Sequence, residues 1–312
     1  MTTDTLPSAL GYRRRVSVPV PTLNGVAHRF VVANGLRFHV AECGAGDRLA
    51  LLLHGFPETW YSWRHQLPLL ARLGYRVWAP DLRGYGESDR PPRTADYAVE
   101  TLLEDVAGLV DAAGAKSTTL VAHDWGGILA WLFATRRTRP LERLVVMNLP
   151  HPGAAAPAFR TLRQLRRSWY VAFFQIPWLP ERLLALGAAR VIEAMRSGAA
   201  HPENFPDEAL AVYRQALQRP GAAKAMLDYY RAFVRGGGLR RQRALGYPVI
   251  DVPTLLIWGE NDIALCKETT FGTDRFVSDL SVRYLPGISH FVQQDAPDLV
   301  NAILEEQLRG RC

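Results

Sequence analysis

Apolar residues along the chain fall into short continuous runs and longer runs with helical spacing. The short runs, such as residues 49–53 and 117–121, are typical of strands that are covered on both faces of a sheet. The longer runs, such as residues 99–113, place an apolar residue at every third or fourth position, as in helices with one buried face. The same patterns predict further strands at 75–79, 144–147, 254–258 and 281–285, and helices near 63–72 and 126–135. Their alternation predicts a mostly parallel sheet with helices on both faces.

The first strands and the last helix carry local signals of their own. Two predicted strands, at 26–32 and 36–42, flank Asn34-Gly35, which is a strong signal for a hairpin turn. An antiparallel hairpin at this point is compatible with a mixed sheet. The final helix is predicted to have Asp295 as its N-terminal cap and Pro297 at its first position.

From residue 151 to about residue 238 the strand pattern stops, and only helical spacing, prolines and aromatic clusters remain. An insertion this late in a sheet of alternating strands and helices lies over the carboxyl ends of the strands, where such sheets bind ligands. We therefore predict three parts: an N-terminal arm at 1–25, a core at 26–150 and 239–312, and an all-helical lid at 151–238.

Composition limits the class of protein. The 312 residues, 48% of them apolar, suffice for one large domain or a core with an inserted subdomain. A net charge of +7 raises the question of nucleic-acid binding, but the arginines are dispersed along the chain. The densest group is spaced as a solvated helix face and comprises Arg160, Arg163, Arg166 and Arg167. Nucleic acid is therefore not an expected partner.

Hydropathy and cysteine content bear on the compartment. No apolar run approaches the roughly 18 residues of a membrane-spanning helix, so we expect no membrane anchor. Cys43, Cys266 and Cys312 have neither metal-ligand spacing nor the pattern of a disulfide framework. This favours a reducing cytoplasm and no bound metal. The sequence carries no signal for an oligomeric state.

A sharp turn is predicted within residues 121–128, where a strand leads directly into a helix. Ala122 and Gly126 flank Asp124 at a distance of two residues, and their small size lets strand and helix approach closely. A residue at such an apex has a strained backbone and an exposed side chain, as the nucleophiles of serine hydrolases do. Asp124 is therefore a candidate carboxylate nucleophile. The alternative is an Asp that caps the positive N-terminus of a helix, and the turn alone does not decide between them.

A carboxylate nucleophile forms an ester, which water must hydrolyse with the help of a base and an orienting carboxylate. In hydrolases with this turn the chain order is nucleophile, acid, histidine. Asp262 and His290 follow the predicted strands 254–258 and 281–285, which places both at the same sheet edge as the turn. Another position for the acid, after the preceding core strand, is occupied by Asn148, which favours Asp262. The alternatives are a turn residue for Asp262 and a surface or core histidine for His290.

Two backbone N–H groups are expected to stabilise the oxyanion of ester hydrolysis. One belongs to Trp125, directly after the candidate nucleophile, and the other to Phe56, in the loop after strand 49–53. Pro57 would fix this loop, and His54 would brace it by hydrogen bonding. The segment from His54 to Pro57 also fits an ordinary turn, and it gains significance only beside the turn at Asp124.

With these residues the chain resembles the epoxide hydrolases of the α/β-hydrolase fold, in particular the hydrolase domain of soluble epoxide hydrolases and related membrane-associated animal members. The resemblance implies that Asp124 is the nucleophile, that Asp262 and His290 are its partners, and that no cofactor is needed. It covers most of the chain after Leu49. The matching stretches are HGFPETWYSWR (54–64), GYRVWAPDLRGYGESD (74–89), VAHDWGG (121–127), SWYVAFFQIPWLPE (168–181), LDYYR (227–231), PTLLIWGENDIAL (253–265) and GISHFVQQDAPDLV (287–300).

The resemblance also implies two lid tyrosines that act as acids on the epoxide oxygen. It places one at Tyr170 and the other at Tyr230, with the adjacent Tyr229 as an alternative for the second. Ring opening leaves an alkoxide, a poor leaving group, and a phenol O–H stabilises that charge. Taken without the resemblance, these aromatic residues fit simple packing between lid and core.

The expected reaction opens an apolar epoxide to a vicinal diol through an alkyl ester on Asp124. A haloalkane dehalogenase is the nearest alternative, since it would use the same nucleophile and cradle a halide with N–H donors such as the Trp125 indole. A catalytically silent ligand-binding protein is the alternative from another class. The residues expected to contact the substrate are His54, Pro57, Trp125, Tyr170 and Tyr230.

Overall fold

A computed structural model describes residues 21–309, so most of the predicted N-terminal arm lies outside the described residues. The strands are β1 (Val26–Ala33), β2 (Leu36–Cys43), β3 (Arg48–Leu53), β4 (Arg76–Pro80), β5 (Ser117–His123), β6 (Arg143–Met147), β7 (Thr254–Gly259) and β8 (Leu280–Leu285). Within these residues they form one sheet in the order β1-β2-β4-β3-β5-β6-β7-β8.

The sheet is mostly parallel, as the sequence predicted. All neighbours from β4 to β8 pair in parallel, whereas β2 is antiparallel to both β1 and β4. The β1–β2 hairpin turns at Asn34 and Gly35, whose φ angles of 46° and 71° are both left-handed. This is the backbone that a two-residue hairpin requires, so the Asn-Gly signal is confirmed.

Helices cover both faces of the sheet. They are α1 (Gln66–Arg72), α2 (Val99–Ala113), α3 (Asp124–Thr135), α4 (Pro152–Ala155), α5 (Leu162–Arg167), α6 (Trp169–Phe173), α7 (Leu179–Leu186), α8 (Ala188–Ser197), α9 (Asp207–Gln218), α10 (Ala222–Val234), α11 (Gly238–Ala244), α12 (Val292–Asp295) and α13 (Pro297–Leu308). None of these helices, all within residues 21–309, is long and apolar enough to cross a membrane.

The core consists of two apolar clusters, one on each face of the sheet. Strand β3 shows the alternation: Leu49, Leu51 and Leu53 pack with α2 and α3, whereas Ala50 and Leu52 pack with α1 and α13. All five side chains are fully buried. Burial of one leucine contributes about 1.5–3 kcal/mol, so these two layers are the main source of stability for the sheet that carries the site.

Between β6 and β7 the chain folds into the helices α4 to α11, which form an inserted helical segment. The segment extends past Gly238, the predicted end of the lid, to Ala244. Gly237 adopts a left-handed φ of 78°, which breaks the helical backbone between α10 and α11. Because α11 begins at the next residue, the helical region continues.

The predicted cap of the last helix is wrong. The cap residue of α13 is Ala296, and Asp295 ends the short helix α12. The fully buried Asp295 carboxylate instead accepts hydrogen bonds from the N–H groups of Ser289 (2.7 Å), Ala200 (3.1 Å) and His201 (2.8 Å). A buried carboxylate needs several hydrogen-bond donors, and these three backbone N–H groups supply them.

We expect Gly126→Ala to destabilise the fold by about 3 kcal/mol, at the upper end of overpacking substitutions. A Cβ at this position would lie 2.1 Å from the carbonyl oxygen of Leu53, in the tight junction between β3 and α3. Urea unfolding followed by circular dichroism measures the loss. Gly198→Ala is the matched control, because its φ is −92° and its Cβ would lie 3.3 Å from the nearest atom. Equal unfolding midpoints for the two variants would contradict the interpretation.

Candidate active site

Asp124 lies where β5 ends and α3 begins, at the sharp turn that the sequence predicts. Its φ of 46° is left-handed, a conformation that costs a non-glycine residue about 1–3 kcal/mol. The Gly126 N–H donates to the carbonyl oxygen of His54 (3.0 Å), which holds the start of α3 against the loop after β3. The Asp124 side chain is 13% exposed. The backbone strain and the partial exposure are those expected of a nucleophile at such a turn.

The loop after β3 contacts the carboxylate directly. The Phe56 N–H donates to Oδ1 of Asp124 (2.7 Å), and the Phe56–Pro57 peptide bond is cis. Gly55 permits this approach, because a Cβ there would lie 2.3 Å from the Cβ of Asp124. The Trp125 N–H belongs to the first turn of α3, whose N–H groups have no partner within the helix. The N–H groups of Phe56 and Trp125 are therefore candidates for an oxyanion hole.

His290 lies between two carboxylates. Its Nδ1 is 2.7 Å from Oδ2 of Asp262, and since a carboxylate only accepts, this nitrogen donates the hydrogen bond. Its Nε2 is 3.7 Å from Oδ2 of Asp124, a distance typical of an ion pair rather than of a direct hydrogen bond. The structure thus brings together the three residues that follow β5, β7 and β8.

Asp262 is held by backbone and side-chain donors on both oxygens. Its Oδ1 accepts from the N–H groups of Ala264 (2.7 Å) and Leu265 (2.8 Å), and its Oδ2 accepts from Nδ2 of Asn148 (2.8 Å). Asn148 is itself fixed, since its Oδ1 accepts from the Gly259 N–H (2.8 Å). The residue in the alternative acid position therefore orients the acid, a role that the sequence analysis missed.

One member of the predicted solvated arginine group, Arg167 at the end of α5, is half-buried, contrary to prediction. Arg167 donates to the carbonyl oxygens of Asp262 (2.6 Å) and Leu265 (3.2 Å). On the same helix the buried Gln164 donates to the carbonyl oxygen of Ala264 (2.9 Å). Because backbone carbonyls of the Asp262 loop face α5, polar side chains of the helix turn inward to bind them.

The charges of Asp124 and His290 stabilise each other. Burial alone would raise the pKa of Asp124, but the proximity and charge of His290 outweigh it and hold that pKa below its ordinary value. Burial likewise opposes a charge on His290, yet Asp262 and Asp124 together raise the pKa of the imidazole well above 6.5. Both directions describe one buried pair, an anionic Asp124 beside a protonated His290.

The carboxylate faces a cavity of about 170 Å³ between the sheet edge and the inserted helices. Two tyrosines line it, Tyr170 from α6 and Tyr230 from α10, with ring centroids 6.1 Å apart. Tyr229 points elsewhere, and its O–H donates to the carbonyl oxygen of Arg83 (2.8 Å). The other lining residues are Phe56, Pro57, Phe174, Val191, Ala194, Met195, Ile263, Ala264, His290 and Phe291.

The two cavity phenols are strong candidates for O–H donors. Burial, and then the negative charge of Asp124, raise the pKa of Tyr170 and of Tyr230 above the ordinary value of 10. Both side chains therefore stay neutral and keep their protons across the physiological pH range.

Two residues that were expected to contact the substrate lie behind the cavity wall. The His54 ring is fully buried, and its Nε2 accepts from the Leu82 N–H (3.0 Å), so the side chain braces the loop. The Trp125 ring packs edge-on against Tyr230 at 5.0 Å and is 3% exposed. Of the expected contact residues, Pro57, Tyr170 and Tyr230 do line the cavity.

A buried polar chain behind the site was missed by sequence reasoning. Oε2 of the fully buried Glu58 lies 2.9 Å from Nδ1 of His123, and Nε2 of His123 lies 2.9 Å from the backbone oxygen of His290. The remaining contacts of Glu58 include the side-chain amides of Gln293 and Gln294. The available signal was an ionisable residue next to each of the two predicted turns, Glu58 after Pro57 and His123 before Asp124. Among residues 21–309 no group of three or more His, Cys, Asp or Glu side chains is arranged to hold a metal ion.

Comparisons with known proteins identify relatives of the chain in sequence and in fold. The family model for the α/β hydrolase fold matches residues 51–265. The chain is 35% identical to Epoxide hydrolase 2 of Caenorhabditis elegans, over 89% of this chain and 79% of that protein. It is 36% identical to human Epoxide hydrolase 4, over 91% of this chain and 79% of that protein.

Solved structures show the same similarity in three dimensions. The crystal structure of an epoxide hydrolase from Vigna radiata superimposes on the chain with a TM-score of 0.80. The match covers 93% of this chain and 99% of that chain at 29% identity. Sequence and fold therefore point to the same family.

We expect Asp124→Asn to lower the pKa of His290, because it removes the adjacent anion and leaves only Asp262 to hold the proton. NMR titration of ¹³C-labelled histidines measures the pKa, with His290→Gln to identify the resonance. Asp251→Asn, which neutralises an exposed carboxylate paired with Arg137, is the control and should leave the pKa unchanged. An unchanged pKa in Asp124→Asn would show that the Asp124 charge does not hold this proton.

Proposed function

Since this chain belongs to the epoxide hydrolases of the α/β-hydrolase fold, we propose that it opens an epoxide to a vicinal diol through an ester on Asp124. One observation carries the proposal. Asp124 has a strained backbone, its two carboxylate oxygens have different partners, and it faces a cavity with two buried phenols. Oδ1 accepts from the Phe56 N–H, and Oδ2 lies beside His290. A capping Asp would need neither arrangement.

The two oxygens of Asp124 have different roles in this reaction. Oδ2, which accepts from no backbone N–H among residues 21–309, attacks a ring carbon and forms the ester bond. Oδ1 becomes the ester carbonyl and stays on the Phe56 N–H, 2.7 Å away in the free site. The nucleophile is thus oriented before the substrate arrives, which reduces the reorganisation that the reaction requires.

Tyr170 and Tyr230 serve the ring oxygen. As the carbon–oxygen bond breaks, the phenol O–H groups stabilise the developing alkoxide, and one of them transfers its proton to it. The raised pKa values of both phenols support this role, because an ionised tyrosine has no proton to give. Two donors on one oxygen share the charge that a single phenol would have to stabilise alone.

His290 acts in the second half of the reaction. It takes a proton from water, and the resulting hydroxide attacks Cγ of Asp124. The N–H groups of Phe56 and Trp125 stabilise the negative charge on Oδ1 in the tetrahedral intermediate. The bond between Cγ and Oδ2 then breaks, and His290 returns its proton to the departing alkoxide. The diol keeps Oδ2, and the oxygen of water remains on Asp124.

Ester formation itself prepares His290 for this role. In the free site the negative charge of Asp124 contributes to the raised pKa of His290, and a protonated imidazole cannot accept a proton. The ester is neutral, so its formation removes that contribution and lowers the pKa of His290. The imidazole proton passes to the phenolate, which gave its own proton to the ring oxygen. The base therefore becomes competent only after the nucleophile has reacted.

The cavity suits an apolar epoxide. Its walls carry the aromatic and aliphatic side chains of Phe56, Phe174, Val191, Met195 and Phe291. Burial of such a ligand gains about 25 cal/mol per Å² of apolar surface, whereas a charged substrate would have no free partner besides the reacting groups.

We also propose that the helical insert acts as a lid on the core. The sequence predicted this lid at 151–238 with a core at 26–150 and 239–312, and the helices of the insert reach Ala244. The cavity takes its walls from both parts, with Tyr170 and Tyr230 on the lid side. Buried and unpaired Cys43 and Cys266 support a reducing compartment, and hence the cytoplasm.

The alternative activities have less support. A halide site would use the Trp125 indole, but this ring packs behind Tyr230 and does not line the cavity among the described residues. A silent binding protein would not require a raised imidazole pKa between two carboxylates. The oriented acid, the base and the phenols together favour epoxide hydrolysis.

We expect a single turnover in heavy-oxygen water to place the label on the peptide that contains Asp124 and to leave the diol unlabelled, because water attacks Cγ. Excess enzyme, a styrene oxide substrate and mass spectrometry of both products measure this. His290→Gln should accumulate the ester, because hydrolysis then has no base. His201→Gln, at an exposed histidine, is the matched control and should turn over normally. Label in the diol alone would exclude the covalent route, and normal turnover by His290→Gln would exclude its role as base.

We expect Tyr230→Phe to slow ester formation by about 10- to 100-fold, because one of two acids on the ring oxygen is lost. Tyr229→Phe is its neighbour and control. It should leave ester formation within about twofold and cost about 1 kcal/mol of folding stability through the lost hydrogen bond to Arg83. Rapid-quench measurement of the ester separates the two variants, and the reverse ranking would make Tyr229 the acid.

A further inference from the structure

Arg231 is a buried cation directly after Tyr230 and is not part of the mechanism above. Its residue is 4% exposed. The guanidinium Nε donates to the carbonyl oxygen of Phe174 (2.9 Å), and Nη2 donates to the carbonyl oxygen of Ile176 (2.7 Å). Its Nη1 donates to Glu181 (2.5 Å). One side chain on α10 therefore binds three points on the segment that follows α6.

That segment carries the other cavity tyrosine. Tyr170 lies on α6, and its carbonyl oxygen accepts from the Phe174 N–H (2.8 Å) at the end of the helix. The Phe174 ring contacts both phenol rings, with centroid distances of 5.5 Å to Tyr170 and 5.0 Å to Tyr230. A shift of the Phe174 backbone would therefore move Tyr170 relative to Tyr230.

The charge environment explains why an arginine occupies this position. Glu181 compensates the guanidinium, and Asp228 lies 3.7 Å away. The two carbonyl oxygens lie past the last turn of α6, where a helix leaves carbonyls without partners. A planar guanidinium can bind two carbonyls and a carboxylate at once, which the single ammonium of lysine cannot do in the same geometry.

We propose that Arg231 is a positioning residue that sets the separation and orientation of the two phenols. The inference rests on the proposed function, because it gives Tyr170 and Tyr230 their task at the ring oxygen. Two donors must meet one oxygen atom, so an error in their separation weakens both interactions together. Arg231 fixes that separation through Phe174, without contact to the reacting atoms.

The inference predicts an effect on one half-reaction only. The polar contacts of Arg231 named above all lie within the helical insert. Ester hydrolysis depends on core loops that carry His290, Asp262 and Phe56. Loss of the guanidinium should therefore slow ring opening and leave hydrolysis of the ester unchanged.

Arg231→Lys and Arg231→Met test this in the full chain. Rapid-quench mass spectrometry gives the rate of ester formation with styrene oxide, and decay of the preformed ester gives the rate of hydrolysis. We expect ester formation to fall by about 100-fold in Arg231→Met, as for a misplacement of roughly 1 Å, and by less in Arg231→Lys. Ester hydrolysis should stay within about twofold.

Arg241→Met is the matched control, because the exposed Arg241 on α11 makes a two-point ion pair with Glu100 on α2, away from both phenols. Both of its rates should equal those of the unmodified protein. Glu181→Gln keeps a neutral acceptor for Arg231 and serves if neither Arg231 variant folds. It should reduce ester formation several-fold, with hydrolysis unchanged.

Two results would overturn the inference. Equal slowing of both half-reactions would mean that Arg231 has only a general structural role, and unchanged ester formation would mean that it does not position the phenols. Absence of any ester in the unmodified protein would instead overturn the proposed function, and this inference with it.

Discussion

The buried negative charge of Asp124 is the constraint on which the rest of the candidate site depends. Removing a carboxylate from water costs several kcal/mol unless other groups replace its hydration. Here the Phe56 N–H and a protonated His290 replace it, and each requires close approach of a loop. Gly55 and Gly126 leave the space for that approach. The strained backbone of Asp124 then directs the charge into the cavity rather than into the sheet.

Buried carboxylates also hold the loops at this edge of the sheet. Glu58 follows β3, Asp262 follows β7 and Asp295 follows β8, and all three are fully buried. Asp262 and Asp295 accept from several N–H groups of irregular backbone, which has no ladder or helix to satisfy it. Glu58 accepts from the Gly55 N–H and from two side-chain amides. These hydrogen bonds offset the desolvation cost of the three carboxylates. They also fix the loops that carry Phe56 and His290. This preorganisation lets an epoxide hydrolase stabilise an oxyanion without rearranging its donors.

The chemistry is divided between the two parts of the chain. In the proposed mechanism the core provides the nucleophile, the base and the N–H donors, whereas the helical insert provides both phenols. Contacts such as those of Arg167 with the Asp262 loop and of Asp295 with Ala200 join the parts beside the site. On this proposal the insert acts on ring opening through the phenols, and the core acts on ester hydrolysis.

The sequence by itself determined the sheet, its helical insert, the hairpin at Asn34-Gly35 and the sharp turn at Asp124. These follow from local patterns, because the spacing of apolar residues and the size of the neighbours at a turn act over a few positions. It also indicated Asp262 and His290, since residues that follow parallel strands meet at one edge of the sheet.

The tertiary structure alone decided which of two adjacent tyrosines faces the cavity. Tyr229 and Tyr230 are about 100° apart around α10, and packing of that helix turns one toward Arg83 and the other toward Asp124. It also turned Arg167 toward the Asp262 loop and directed Asp295 to the N–H groups of Ser289, Ala200 and His201. His54 was placed behind the cavity wall by the same packing. Each of these depends on partners distant in the chain, which satisfy buried polar groups only once the elements have packed. Periodicity identifies the buried face of a helix, but the partner that the face meets is set by the assembled fold.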